Sequence, residues 1–232
     1  MGIQERKERE KEQRREEILN AAQRLFFEKG LQNSTMDEIA ELAELSKGTL
    51  YLYYGSKEDL YLAVMLRGFD LLHEMIAEAE KQATQPAEAM WMMGKVYYEF
   101  FEKHRNFFRM FHFLQYPGLH KQVSPEMMES CNGQTQKTWK LVIDVFNRGI
   151  QEGVFRRDVN PVEAAVILWS SANSILLRID NECDRWKQTL NIDLTQVYFR
   201  SNALLLQAVM TPEAYARASF VSEELPTTIS QS

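Results

Sequence analysis

The stretch Thr35–Lys57, TMDEIAELAELSKGTLYLYYGSK, constrains the fold more than any other part of this chain. It reads as two short helices joined by a tight turn and followed by the start of a third. Thr35 is an N-cap residue with Glu38 three places on, the reciprocal arrangement of a capping box. Ile39, Ala40 and Ala43 give that helix an apolar, small-residue face. Glu44-Leu45 makes the turn, and Leu45 is the apolar residue that crossed helices bury between them. Ser46 caps the next helix, Lys47 to Tyr53. Gly55 breaks it, and Ser56 with Asp59 caps a third helix. A short helix, a tight turn and a second short helix form a helix-turn-helix.

The charges in this stretch are informative. Helix N-termini carry free N–H groups and partial positive charge, which favour acids over lysines. Yet Lys47 and Lys57 each follow a Ser cap directly. Glu58 and Asp59 offset Lys57, but no acid lies between Leu45 and Lys57 to offset Lys47. Two readings stand. Either both lysines are solvated, or they mark a site whose anion comes from outside, as a phosphate backbone would supply it.

Ser46-Lys47-Gly48-Thr49-Leu50-Tyr51, followed by Tyr53-Tyr54-Gly55-Ser56-Lys57-Glu58-Asp59-Leu60, resembles the signature of TetR-type (TetR/AcrR-like) transcriptional regulators. The likeness runs from about Ile18 to Leu62. It departs at Glu44, where the family often has Gly. The resemblance implies an all-α fold of about nine helices. An N-terminal three-helix helix-turn-helix domain would precede a C-terminal helical ligand-binding and dimerisation domain. It also implies a homodimer on double-stranded DNA with a palindromic operator, most simply a repressor released by a small hydrophobic ligand. On that reading residues 47–53 enter the major groove. The DNA-binding set is Thr35, Ser46, Lys47, Gly48, Thr49, Tyr51, Tyr53 and Lys57, with Leu50 and Tyr54 facing the core.

Composition fits a helical chain. Among 232 residues there are only 10 Gly and 6 Pro, too few for a turn-rich β protein. Net charge is −6, and the first 60 residues carry more acids than bases. DNA contact must therefore depend on local placement rather than bulk attraction. Cys131 and Cys183 form no CxxC pair and have no His at metal spacing, so two free thiols are expected. No apolar run approaches about 18 residues, so no membrane span is expected. The N-terminus lacks the apolar core of a signal peptide, and the expected location is cytoplasmic.

Along the chain, residues 4–17 alternate charges without an apolar residue. They read as a solvated extension of the first helix, or as an arm whose Arg6, Lys7, Arg9, Arg14 or Arg15 touches DNA. Ile18, Ala22, Leu25 and Phe26 have the spacing of one helix face, and Lys29-Gly30 ends that helix. Helices over about 16–29, 36–43 and 47–53 form the first domain. A long helix follows from Ser56 to about Gln82, and Pro86 opens another that breaks at His104-Arg105-Asn106. Pro117-Gly118 is a turn. Ser124-Pro125 and Asn160-Pro161 are helix starts, and a last helix begins near Asp193. The expected division is 1–57, 58–218 and a loose tail, 219–232.

Met65, Phe69, Trp91, Phe107, Phe111, Trp139, Phe146 and Trp169 are aromatic or Met residues at helical spacing. By spacing alone they are core. The family resemblance makes them candidate ligand contacts, since apolar, aromatic-lined cavities suit hydrophobic ligands. His73, His104, His112 and His120 are scattered, and no Ser-His-Asp order, metal spacing or Gly-rich phosphate loop emerges. Neither an enzyme nor a cofactor is expected. Two alternatives remain: a dimeric DNA-binding regulator without a small ligand, and a helical ligand-binding or catalytic protein whose first domain no longer binds DNA.

Overall fold

Side-chain caps set many of the helix starts in this chain. Thr35, Ser46, Asn160, Asp193 and Thr211 each accept a hydrogen bond from a backbone N–H in the first turn of the helix they open. A computed structural model describes residues 2–113 and 122–218. The expected turn at Pro117-Gly118, His120 and the 219–232 tail lie outside the described residues. The helices are α1 (Ile3–Lys29), α2 (Met36–Leu42), α3 (Lys47–Tyr53), α4 (Lys57–Gln82) and α5 (Pro86–Lys103). They continue with α6 (Arg105–Phe113), α7 (Pro125–Gln151), α8 (Pro161–Leu190), α9 (Leu194–Val209) and α10 (Pro212–Arg217). The short α10 adds to the helices read from the sequence; Thr211 caps it and Pro212 opens it. Among the described residues no strand forms beyond an isolated bridge between Phe155 and Met210.

The chain divides into two compact units, Met1–Leu71 with His104–Thr135, and Leu72–Lys103 with Gln136–Ser232. The sequence pattern places the first boundary after Lys57, whereas this division cuts α4 after Leu71. The early part of α4 is bound to α1. Tyr61 packs edge-on against Phe26, with ring centroids 5.2 Å apart. Arg67 donates to Asn20 (2.9 Å) and Gln23 (3.1 Å) and pairs with Glu16. Ile18, Ala22, Ile39, Leu50, Leu60, Leu62 and Met65 are fully buried in this first unit. From α6, Phe107 lies across Gly68, where any Cβ would come within 2.6 Å of its ring, and Phe111 stacks on Phe69 at 4.1 Å. The start of α4 is also tied to the loop before α7. Ser56 donates to the Gln122 carbonyl (3.2 Å), and the buried Asp59 accepts from Ser124 N (2.7 Å).

In the second unit α8 and α9 pack together and α5 lies against both. Phe100, Phe101, Phe146, Phe155, Leu176 and Tyr198 are fully buried. Tyr198 donates to the Gly94 carbonyl (2.8 Å), and Tyr97 donates to Asn173 Oδ1 (2.5 Å). Burial pushes the hydroxyl pKa of both tyrosines well above its usual value. Cys131, in the first unit, is buried with its thiol pushed up to about 11. By length and composition α8 is apolar enough to cross a membrane, with 33% of its most apolar stretch buried, and core helices of soluble proteins reach the same apolarity. Ser170, Ser171, Asn173 and Ser174 interrupt its apolar run.

The turn between α2 and α3 is a Schellman motif. Leu45 N donates to Ala40 O (2.9 Å) and Glu44 N to Glu41 O (3.1 Å), with Glu44 left-handed at φ 54°. That conformation explains why glycine suits this position. A left-handed side-chain-bearing residue costs about 1–2 kcal/mol. Glu44→Gly is expected to stabilise the first unit by about 1 kcal/mol. The measurement is the urea midpoint followed by circular dichroism.

Candidate nucleic-acid interface

The Thr35 capping box forms as the sequence predicts. Thr35 Oγ1 accepts from Glu38 N (3.2 Å), and Glu38 Oε2 accepts from Thr35 N (2.9 Å). Glu38 also accepts from Lys29 at the end of α1 (2.7 Å). Lys29, then Thr35, holds the Glu38 carboxyl down to about 2. The box therefore locks α2 to α1 as well as capping it. Ser46 Oγ accepts from Thr49 N (3.1 Å) and shares a hydrogen bond with Thr49 Oγ1 (2.8 Å).

The two lysines differ from the sequence reading. Lys47 is not without an acid: Asp37, one helix earlier, lies 2.7 Å from its ammonium and raises its pKa. That acid stands ten residues away and comes near only because the turn folds α2 back beside α3. Both side chains are exposed, and such pairs add little stability. Lys57 donates to the carbonyls of Leu31 (2.7 Å) and Ser34 (2.8 Å) in the α1–α2 loop. Two of its three protons are thus committed to the domain's own backbone.

The rotation of α3 is set by Leu50, fully buried, and Tyr54, nearly so. Gly48, Tyr51 and Leu52 are all exposed. Tyr51 is 45% exposed and Leu52 85%. Thr49 and Tyr53 are half-buried, while Thr35, Ser46 and Lys47 are exposed. Leu52 is absent from the expected DNA-binding set. Its signal was available: Gly48 and Leu52 stand four apart on one helix face, away from Leu50. The charged segment 4–17 is the first half of α1, a helical extension. Of its six bases, Arg6 pairs within the helix with Glu10, Arg14 with Glu17 and Arg15 with Glu12.

The eight candidate ligand residues do not gather in one unit. Met65, Phe69, Phe107 and Phe111 belong to the first, Trp91, Trp139, Phe146 and Trp169 to the second. Phe146 is fully buried against Phe155 (centroids 5.1 Å), and Trp91, also buried, lies 6.3 Å from Phe199. Trp139 and Trp169 meet edge-on at 5.6 Å, with Trp169 45% exposed.

A capped α2, a Schellman turn and a short α3 showing a mixed polar and apolar face define a helix-turn-helix DNA-binding module. Residues 18–64 match the model of the bacterial regulatory proteins of the tetR family. The chain is 32% identical over 148 residues to the transcriptional repressor KstR2 of Mycobacterium tuberculosis, covering 63% of this chain and 72% of that protein. It is 28% identical over 138 residues to the transcriptional activator FasR of Mycolicibacterium smegmatis, covering 60% of this chain and 61% of that one. Among solved structures, the TetR family regulator PfmR from Thermus thermophilus aligns with a TM-score of 0.61 at 26% identity, over 82% of this chain and 97% of its own. The chain belongs to the TetR family of transcriptional regulators.

Lys57→Met keeps the stem and removes the donors. Two carbonyls then lose a charged partner, and the first unit is expected to lose about 1–2 kcal/mol of stability, read by urea unfolding.

Proposed function

We propose that this chain is a homodimeric repressor that binds a palindromic operator and releases it when a small hydrophobic molecule binds. The observation that carries the DNA side is the fixed outward face of α3, with Gly48, Tyr51 and Leu52 exposed while Leu50 and Tyr54 anchor it. In that complex the hydroxyls of Tyr51, Tyr53 and Thr49 are within reach of bases or phosphates. The Ser46 cap and the Gly48 backbone approach the strand closely, and Thr35 and Lys57 flank it. Lys47 exchanges Asp37 for a phosphate, and the loss of an exposed pair is a small penalty. KstR2, whose name is that of a repressor, supports repression as the output.

Dimerisation is supported by α8 and α9. Val162, Val166 and Ile167 on α8 and Leu204 on α9 are exposed large apolar residues. Ser170 and Ser174 are also exposed on α8, small enough for a second helix to come close. Two such pairs form a four-helix bundle, which also accounts for the apolar composition of α8 without a bilayer. A palindromic site is then the geometric counterpart of a two-fold axis.

Ligand response is supported by Asn173. Its side chain is buried, its Oδ1 accepts from Tyr97, and its Nδ2 has no hydrogen-bond partner among the described residues. A buried amide without a partner costs about 1–3 kcal/mol, and a carbonyl or carboxylate oxygen on an otherwise apolar ligand would satisfy it. Trp139 and Trp169 supply aromatic surface in the same unit. Ligand binding shifts the population of α4 positions, and α4 runs from Lys57, beside α3, into the second unit.

Selection from a random duplex pool tests the DNA reading. The expected product is an inverted repeat with half-site centres about 34–36 Å apart, or a multiple of that spacing. Failure to enrich any sequence at low salt overturns it. A thermal-shift screen with apolar carboxylates and carbonyl compounds tests the ligand reading. A binder at a hundredfold excess over its Kd adds about 2.7 kcal/mol and is expected to weaken DNA binding. A hit that leaves operator affinity unchanged argues for a regulator without a small-molecule switch.

A further inference from the structure

We propose that Leu52 is a specificity-determining residue that reads the C5-methyl group of one thymine in each half-site. The inference rests on the DNA-binding reading above and goes beyond it by assigning one base to one side chain. Leu52 is 85% exposed, more than any other large apolar side chain among the described residues. A single exposed leucine is ordinary on a protein surface, so its position carries the weight. It stands on the seven-residue helix whose opposite face is pinned by Leu50 and Tyr54. One turn earlier on the same face is Gly48, where an added Cβ would meet only Ser46 Oγ, at 3.9 Å. The surface beside Leu52 is therefore low, and the leucine projects beyond it.

The chemistry then names the partner. Leucine has neither donor nor acceptor, so it cannot read the polar edges of adenine, guanine or cytosine. On the major-groove floor the apolar group is the thymine methyl. Tyr51 and Tyr53 on either side, and Thr49 one turn back, retain hydroxyls for phosphates or other base edges. Leu52 belongs to the first unit, while the exposed apolar residues of α8 and α9 belong to the second, so the proposed dimer makes no demand on it.

The test uses the full-length protein and the duplex recovered from random-pool selection. Each thymine of one half-site is replaced in turn by deoxyuridine, which lacks only the methyl. One replacement is expected to weaken wild-type binding about fourfold, the value of one buried methyl. The same replacement should leave Leu52→Ala unaffected, and that variant should melt at the wild-type temperature because its side chain is solvated. If no deoxyuridine weakens the wild type, or if Leu52→Ala keeps the full penalty, Leu52 does not read a methyl, although the DNA-binding reading survives. If selection recovers no duplex, that reading fails and this assignment fails with it.

Discussion

A helix of seven residues does not hold itself in water. The orientation of α3 therefore depends on the burial of Leu50 and Tyr54, and everything proposed for its outer face depends on that burial. The neighbouring devices serve the same end. The Schellman turn at Glu44 fixes the crossing from α2 to α3, and the Thr35–Glu38–Lys29 network fixes α2 against the end of α1. Lys57 ties the start of α4 to the α1–α2 loop. An interface side chain is useful only if its own support is rigid, and here the backbone and capping bonds add to the packing of Leu50 and Tyr54.

What could be read from sequence was what is local. Thr35, Ser46, Ser56 and Asn160 act within four residues of themselves, and the structure finds each capping where the sequence puts it. Leu50 and Tyr54 point inward as the helical period requires. What escaped was non-local. Asp37 meets Lys47 only after the turn closes, and Lys57 finds carbonyls more than twenty residues back. The first half of α1 has charges but no apolar face, and it is the solvated helical extension those charges suggest. Leu52 escaped for a different reason: an apolar residue in a short helix is expected to face inward, and this one does not.

The aromatic residues of the second unit carry a related lesson. Phe146 and Trp91 have ring partners and full burial, so they are required by packing whatever else they do. The polar bonds in that unit are more selective. Tyr97 to Asn173, Tyr198 to the Gly94 carbonyl, and Ser171 with Ser201 fix how α5, α8 and α9 sit against one another. Buried polar groups of this kind allow one arrangement and penalise others, because a slip leaves donors without acceptors.

The acid excess of the first sixty residues has a further consequence for how such a protein searches a chromosome. It weakens attraction to random sequence, which phosphates dominate, whereas the exposed Lys47–Asp37 pair opens at little cost on any phosphate. Millions of decoy sites compete for every copy of a regulator, so the ratio of operator to decoy affinity governs occupancy more than the operator affinity alone. A module with little background stickiness leaves more copies free to find their target, and it places the burden of recognition on the few atoms that touch the bases.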